Sequence, residues 1–183
     1  ETRRDYWKLA TATYPVLRDA QPNAAHRAIA VIEKSGKLLK LVTQNIDGLH
    51  QAAGSREVIE LHGSIWRARC VHCGARHNLR ELRTDNGVPA CLDCGSSMRP
   101  DVVLFGEMLP TGAFEQAAAI AASCELCFVV GTSAVVYPAA AIPEIARAAG
   151  ACVVEVNPER TPLSELSDEV LTGNAGEILP LLG

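Results

Sequence analysis

Two groups of side chains in this sequence have the types and spacing to do chemistry, and the first follows a pair of apolar runs. Residues 38–42 are apolar apart from Lys40, and residues 58–61 form a second, shorter run. Polar side chains come directly after both runs: Thr43, Gln44, Asn45 and Asp47 after the first, and His62 after the second. Open α/β sheets bind ligands at the carboxyl ends of their strands, so these amide, carboxylate and imidazole groups indicate an active site. Asn and Asp also form ordinary turns, which stays the alternative for these residues alone.

The second group consists of two Cys-x-x-Cys knuckles separated by 17 residues: Cys70 with Cys73, and Cys91 with Cys94. This spacing is typical of a zinc ion held by four thiolates, because a two-residue spacer lets both sulfurs of a knuckle reach one tetrahedral ion. Four protein ligands leave no position for a substrate, so the predicted role of the zinc is structural. Two alternatives stay open: disulfide bonds, and His72 or His77 in place of one cysteine.

The segment around the first knuckle is rich in arginine, with Glu81 as its single carboxylate between residues 64 and 83. The basic residues are Arg67, Arg69, Arg76, Arg80 and Arg83. A basic zinc ribbon can contact nucleic acid. The whole chain carries a net charge of −4, however, so we favour a solvated basic face balanced by acidic surface elsewhere, and nucleic acid is not an expected partner.

The elements that would position these groups alternate between strands and helices. Apolar runs at residues 38–42, 126–130 and 151–156 are typical of buried strands. The alternation predicts an α/β fold with a doubly wound, parallel, Rossmann-like sheet and a smaller helical and zinc-ribbon module. The predicted division assigns 38–63 plus 100–183 to the sheet domain, 64–99 to the zinc module, and 1–37 to a helical segment packing with the small domain.

Composition sets limits on the class of protein. A chain of 183 residues, 48% of them hydrophobic, suits one domain or one domain with a small module. No apolar run approaches the ~18 residues that a membrane span needs, so a membrane is not an expected partner. The cysteines are odd in number and four of them form knuckles, which favours metal binding in a reducing compartment and predicts a cytoplasmic protein.

The polar cluster resembles the central motif of the sirtuins, a family of NAD-dependent protein-lysine deacylases. The matching residues are Thr43-Gln44-Asn45-Ile46-Asp47, followed by His62-Gly63. The resemblance extends over essentially the whole chain and keeps the family's order of motifs. It implies that His62 is the general base, and that Gln44, Asn45, Ile46 and Asp47 belong to the cofactor site around the nicotinamide ribose.

Further segments resemble other sirtuin motifs. Residues 102–107 are similar to a Val-Val-x-Phe-Gly-Glu segment whose backbone pairs with the extended substrate peptide, which implies substrate-binding roles for Val103, Phe105, Gly106 and Glu107. A Gly-Thr-Ser turn after the second strand and an Asn-Pro-Glu turn after the third are implied to contact NAD, with a small residue near the adenine. These residues are Gly131, Thr132, Ser133, Asn157, Pro158, Glu159 and Ala175.

The implied activity is NAD-dependent removal of acyl groups, acetyl above all, from protein lysines. Its products are nicotinamide and O-acyl-ADP-ribose, its cofactors are NAD as co-substrate and structural Zn²⁺, and its partner is an acyl-lysine protein or peptide. Two alternatives stay open from the sequence. One is a protein ADP-ribosyltransferase, which shares the first chemical step, and the other is a zinc-stabilised module that binds nucleotide or peptide without turnover.

The sequence departs from the sirtuin pattern at its front and at one specificity position. It lacks the Gly-Ala-Gly-x-Ser loop that holds the pyrophosphate and the Pro-x-Phe-Arg segment that follows it, so we expect the biological protein to carry a further N-terminal strand and loop. Sirtuins that prefer succinyl groups carry a Tyr-x-x-Arg pair, whereas here Tyr6 is followed at that spacing by Leu9 and Tyr14 by Leu17.

Overall fold

A computed structural model describes residues 2–83 and 87–182. Short 3₁₀ turns at Leu79–Glu81, Pro162–Glu165 and Leu179–Leu181 supplement the helices and strands of the described chain. In chain order these elements are α1 (Thr2–Asp19), α2 (Ala24–Lys34), β1 (Leu41–Thr43), α3 (Leu49–Ala52), β2 (Val58–Glu60), β3 (Gly63–Cys70), β4 (Arg76–Asn78), β5 (Met98–Val102), α4 (Ala113–Ala121), β6 (Leu126–Val130), α5 (Ala141–Ala148), β7 (Cys152–Asn157), β8 (Glu169–Thr172) and α6 (Ala175–Ile178).

The chain divides into two compact units and passes between them several times. The smaller unit comprises Glu1–Gln21, Asn45–Gly48 and His62–Met108, and the larger comprises Pro22–Gln44, Leu49–Leu61 and Leu109–Gly183. These bounds differ from the predicted domains at four places. Residues 22–37 lie in the larger unit, where α2 packs, whereas residues 45–48, 62–63 and 100–108 lie in the smaller one.

The larger unit has the predicted parallel α/β architecture. β1 pairs with β2, and β6, β7 and β8 form a second parallel sheet in that order. Alanine-rich α4 and α5 pack against Ile59 and Leu61 at the end of β2, because small side chains let a helix approach a strand closely. The fold class, a Rossmann-like parallel α/β fold, is therefore confirmed.

Two of the predicted buried strands are less buried than expected. β1 begins only at Leu41, and Leu39 ahead of it is 54% exposed. In β6, Leu126 and Phe128 are also exposed, because β6 is an edge strand whose only described neighbour is β7. β7 lies between two strands, and its residues Val153–Val156 are all buried, as predicted.

The smaller unit is an antiparallel sheet in the order β4-β3-β5, with α1 and the cysteine knuckles around it. Its core contains Trp7 and Ala10 of α1, packed with Ala68, Cys70 and Met98 of the sheet. The indole nitrogen of Trp7 donates to the carbonyl of Met98 at 3.2 Å, which satisfies a buried polar group as burial requires. Within the described part of the chain, no helix is long and apolar enough to cross a membrane.

Candidate active site and metal centre

His62 is held in place by the glycine that follows it. Gly63 has a φ of +76°, and a Cβ atom built on it would overlap the backbone carbonyl oxygen of Asp101 on the neighbouring strand. Only glycine fits this position without displacing backbone. The carbonyl oxygen of His62 accepts the N–H of Val103 at 3.0 Å, so the backbone on both sides of the imidazole is fixed by β5 and the segment after it. The side chain of His62 is half-buried.

The segment Asn45–Gly48 is fastened to β3, the strand that begins at Gly63. The carbonyl of Ile46 accepts the N–H of Ile65 at 3.0 Å, and the carbonyl of Asp47 accepts the indole N–H of Trp66 at 2.5 Å. Gly48 has a φ of +74°, and an added Cβ would meet the Trp66 ring at 3.0 Å. The structure thus fastens the 45–47 segment to the strand that begins directly after His62.

Trp66 is a positioning residue that the sequence analysis missed. Its indole both donates to the segment and covers Gly48, while its ring lies 6.3 Å from that of Tyr14. The available signal was a tryptophan three residues after His-Gly in a short strand, since a buried indole N–H needs a hydrogen-bond acceptor. The identity of that acceptor depends on contacts distant in sequence, which the pattern did not contain.

The predicted substrate-binding segment leaves β5 as a tight turn. The N–H of Glu107 donates to the carbonyl of Leu104 at 2.9 Å, and Phe105 between them is fully exposed. The Glu107 carboxylate binds Arg99 through two bonds of 2.6 and 2.8 Å and accepts the N–H of Leu104 at 3.1 Å. Of the four predicted residues, Glu107 therefore holds the turn closed, whereas the side chain of Phe105 extends into solvent.

The Arg99 guanidinium and the Leu104 N–H lower the pKa of Glu107 from 4.5 to about 2. Because the folded-state pKa lies below the ordinary value, the pair stabilises the protein above about pH 4.5, and this contribution is lost as pH falls through about 2. We expect the difference in free energy of unfolding between the wild type and Glu107→Gln to be constant near neutral pH and to shrink towards zero as the pH is lowered through this range. Urea unfolding at several pH values measures it, and a difference that does not change with pH would contradict the assignment.

In the larger unit, the predicted cofactor residues converge on Thr132. The Gln44 side-chain amide donates to the Thr132 hydroxyl at 3.3 Å, and the Asn157 side-chain amide donates to the Thr132 carbonyl at 2.8 Å. Gly131 donates its N–H to Val156 at 2.9 Å. The carboxyl ends of β1, β6 and β7 thus meet around one hydroxyl residue.

The remaining predicted cofactor residues occupy different surroundings. Ser133 follows Thr132 in the chain, and Pro158 and Glu159 follow Asn157. All three residues are exposed. Ala175 opens α6 and is partly buried against Val156 and Leu179. Its small side chain therefore packs in the core of the larger unit.

A buried carboxylate supports the turn after β7, and the sequence analysis did not single it out. Glu155 is fully buried, and its two carboxylate oxygens accept the hydroxyls of Thr161 at 2.6 Å and Ser164 at 2.5 Å. These hydroxyls in turn accept backbone N–H groups of Leu163 and Thr161. A buried carboxyl group whose two oxygens are both hydrogen-bonded rigidifies its surroundings, so Glu155 fixes the loop that follows Asn157.

The four knuckle cysteines lie together in the smaller unit, with all their Sγ atoms within 4.8 Å of one another. The Sγ–Sγ distances are 3.5 Å for Cys70–Cys94, 3.7 Å for Cys73–Cys91 and 3.6 Å for Cys94–Cys73. A tetrahedron of thiolates at the usual Zn–S distance of about 2.3 Å has edges of roughly 3.8 Å. The donor set and its spacing therefore fit a structural zinc ion, and all four are free thiols rather than disulfides.

Backbone groups and a histidine surround the sulfur cluster. The N–H groups of Cys73 and His72 point to the Sγ of Cys70 and lower its pKa to about 6, which favours the thiolate form that binds metal. His77 lies with its Nε2 atom 3.5 Å from the Sγ of Cys91, and Asp93 is nearby. Four sulfurs already complete a tetrahedral set, so neither histidine is needed as a ligand. His77 lies beside the sulfur cluster, and His72 is exposed.

Comparisons with known proteins agree with this fold. The model of the Sir2 family matches residues 1–138. "NAD-dependent protein deacylase 2" of Pyrobaculum aerophilum is 49% identical over 176 residues, which cover 96% of this chain and 70% of that protein. The chain thus spans about 70% of the length of this relative.

Solved structures are similar over nearly the whole chain. A crystal structure of a Sir2 homologue in complex with NAD has a TM-score of 0.92 at 42% identity, covering 98% of this chain and 70% of that one. A Sir2 protein bound to an acetylated peptide has a TM-score of 0.89 at 34% identity, covering 98% of this chain and 76% of that one. The chain belongs to the Sir2 family.

Proposed function

We propose that this protein is an NAD-dependent protein-lysine deacylase that transfers an acyl group, acetyl above all, from lysine to ADP-ribose. The observation that carries the proposal is that Ile46 and Asp47 are hydrogen-bonded to β3, the strand that begins directly after His62. The relative from Pyrobaculum aerophilum is named as a deacylase of this kind, and similar structures hold NAD or an acetylated peptide.

His62 is the proposed general base. The acyl oxygen of the modified lysine forms a bond to the anomeric carbon of the nicotinamide ribose of NAD, and the bond from this carbon to nicotinamide breaks. The imidazole of His62 then accepts a proton from a ribose hydroxyl, so that this oxygen can attack the acyl carbon. With one water consumed, the products are nicotinamide, free lysine and O-acyl-ADP-ribose. Asn45 and Asp47 orient the nicotinamide and the water in this proposal, and Ile46 borders the same site.

The residues around Thr132 are proposed to bind the remainder of NAD. Gln44 and Asn157 each donate a hydrogen bond to Thr132 in the larger unit, so the polar atoms of these residues are pre-organised. Gly131 and Ser133 flank Thr132 and offer backbone that a ribose or phosphate can approach closely. Pro158 and Glu159 follow Asn157, and Ala175 marks the proposed adenine end.

The acyl-lysine peptide is proposed to add as a strand along residues 103–107. β5 is an edge of the smaller sheet, and an edge presents unpaired backbone groups to an extended peptide. Exposed Phe105 and Gly106 offer surface to the peptide, while the Arg99–Glu107 pair keeps the turn in shape. Val103 anchors the start of the segment to His62. Backbone pairing gives affinity with little demand on peptide sequence.

Acetyl-lysine should be preferred to succinyl-lysine. A succinyl carboxylate needs a guanidinium partner, and Leu9 and Leu17 stand where the sirtuins that prefer succinyl carry arginine. We expect desuccinylation of a matched peptide to be slower than deacetylation, compared through kcat/KM for peptides that differ only in the acyl group. A desuccinylation rate well above the deacetylation rate would contradict this.

The cytoplasm is the proposed compartment. The four knuckle cysteines must stay reduced to bind zinc, and Cys152 is an exposed free thiol. Such thiols persist in a reducing environment. Fractionation of cells that express the full-length protein tests this proposal.

The fate of ADP-ribose separates deacylation from the alternatives. We expect the full-length protein, incubated with NAD and an acetyl-lysine peptide, to give a peptide lighter by one acetyl group and an acetylated ADP-ribose in the mass spectrum. ADP-ribose attached to protein would indicate a transferase instead. Binding of NAD or peptide with no change in either mass would indicate a non-catalytic module.

A further inference from the structure

The small antiparallel sheet carries a row of arginines directly opposite one another. Arg69 on β3 is in register with Arg76 on β4 and with Arg99 on β5. Like charges at directly opposed positions destabilise a sheet. A row of this kind costs stability unless anions neutralise it.

Two arginines of this row, Arg76 and Arg99, have carboxylate partners, whereas Arg69 between them has none within ion-pair distance among the described residues. Asp101 accepts bonds from Arg76 at 2.9 Å and from Arg67 at 3.4 Å. Glu107 binds Arg99 through both oxygens. Among residues 2–83 and 87–182, no carboxylate lies within 4.0 Å of the Arg69 guanidinium, although its charge contributes to the low pKa of Glu107.

Arg69 lines a cavity of about 430 Å³ at the edge of the first knuckle. Two further arginines line it, Arg3 from α1 and Arg99 from β5, and the rest of the wall is Cys70, Val71, His72 and Gly74. Three arginines from three elements thus line one concavity, and Glu107 offsets the charge of one of them, Arg99.

We propose that this cavity binds a phosphoryl dianion. The two positive charges that remain match the charge of a phosphate group near neutral pH, about −1.5 to −2, better than that of a single carboxylate. Guanidinium forks also fit the oxygens of phosphate bidentately. None of the lining residues is a proposed NAD contact, and only Arg99 touches the proposed peptide segment, through Glu107. The cavity is therefore a further site on the zinc-bearing unit.

A competing role for the arginines follows from the metal. Zinc with four thiolates carries a net negative charge, and Cys70 borders the cavity. If the role of Arg69 were to neutralise the negative charge of the zinc–thiolate centre, replacing Arg69 would weaken zinc retention. If Arg69 binds a phosphoryl ligand instead, replacing Arg69 leaves the zinc in place. Because Arg69 lies opposite two other arginines, its replacement also leaves the phosphate-free protein at least as stable.

The test uses the full-length zinc-loaded protein with Arg69→Gln, and Arg80→Gln as a matched control. Arg80 is an exposed arginine of the same unit that does not line the cavity. Affinity for inorganic phosphate is measured by calorimetry against chloride at constant ionic strength, with zinc content determined for each variant. Arg3→Gln provides a second variant, and it removes little packing because Arg3 is an exposed residue of α1. A phosphoserine peptide, compared with inorganic phosphate, tells whether the phosphoryl group comes from a side chain or from the free ion.

We expect Arg69→Gln to weaken phosphate binding about tenfold or more, as loss of a charge-assisted hydrogen bond does, and Arg3→Gln to weaken it less. Arg80→Gln should bind phosphate as the wild type does, and every variant should keep its zinc. Tighter binding of the peptide would assign a phosphorylated side chain, and equal or weaker binding the free ion. The proposal is overturned if phosphate binds no better than chloride, if Arg69→Gln and Arg80→Gln behave alike, or if Arg69→Gln loses zinc.

Discussion

Replacing His62 with alanine in the full-length protein is expected to lower the rate of deacetylation by about 10²–10⁴, the usual effect of losing a general base. The fold should survive, because the position depends on Gly63 and on the backbone bond to Val103 rather than on the imidazole. In the proposed order His62 acts after nicotinamide has left. Exchange of labelled nicotinamide into NAD, measured in the presence of acetyl-lysine peptide, should therefore persist in the variant.

His72→Ala provides the matched control for this experiment. His72 is an exposed histidine in the same unit, and it contacts the metal site through its backbone N–H, which the substitution retains. We expect near-normal deacetylation from this control. If His62→Ala turned over peptide at close to the wild-type rate, His62 would be structural and the proposed mechanism wrong.

Replacing Cys91 with alanine is expected to release the zinc and unfold the smaller unit. Cys91 is buried in the core of that unit together with Trp7 and Met98, so the metal site and the core are continuous. Structural zinc contributes about 10–16 kcal/mol of apparent binding free energy in small zinc-dependent folds, far more than this core alone can replace. Loss of a single ligand should therefore cost both the metal and the local fold.

Tryptophan fluorescence measures this effect selectively. Trp7 and Trp66 are the two tryptophans of the chain, and both lie in the smaller unit. We expect one zinc per wild-type chain by elemental analysis, with a red shift of emission in Cys91→Ala and in chelator-treated wild type. Cys152→Ala removes an exposed cysteine of the larger unit and should change neither zinc content nor emission. Full stability of Cys91→Ala without zinc would contradict the structural role.

Local spacing explains which features could be predicted from the sequence. The cysteine knuckles follow from two short spacings, and the strand–helix alternation follows from apolar periodicity, so the zinc centre and the parallel fold class were both predicted correctly. His62 with Gly63 was recognised as a motif. The structure adds the reason for the pairing, since a side chain at position 63 would collide with β5.

Long-range contacts explain the features that the sequence did not reveal. The Trp66 indole donates a hydrogen bond to Asp47, and the Arg99 guanidinium binds the Glu107 carboxylate. Both pairings depend on the fold. The exposure of Leu126 and Phe128 depends on which strands lie beside β6, which an apolar run cannot indicate. The placement of α2 in the larger unit likewise follows from its packing on Val156 and Leu179.

The fate of an isotopically labelled acyl group tests the central claim most directly. The full-length protein is incubated with NAD and a peptide whose acetyl-lysine carries ¹³C in the acetyl group, and the products are followed by NMR and mass spectrometry. The proposed mechanism predicts that the label appears on ADP-ribose, in amounts equal to the nicotinamide released and to the free lysine formed. Appearance of the label as free acetate without consumption of NAD would contradict it.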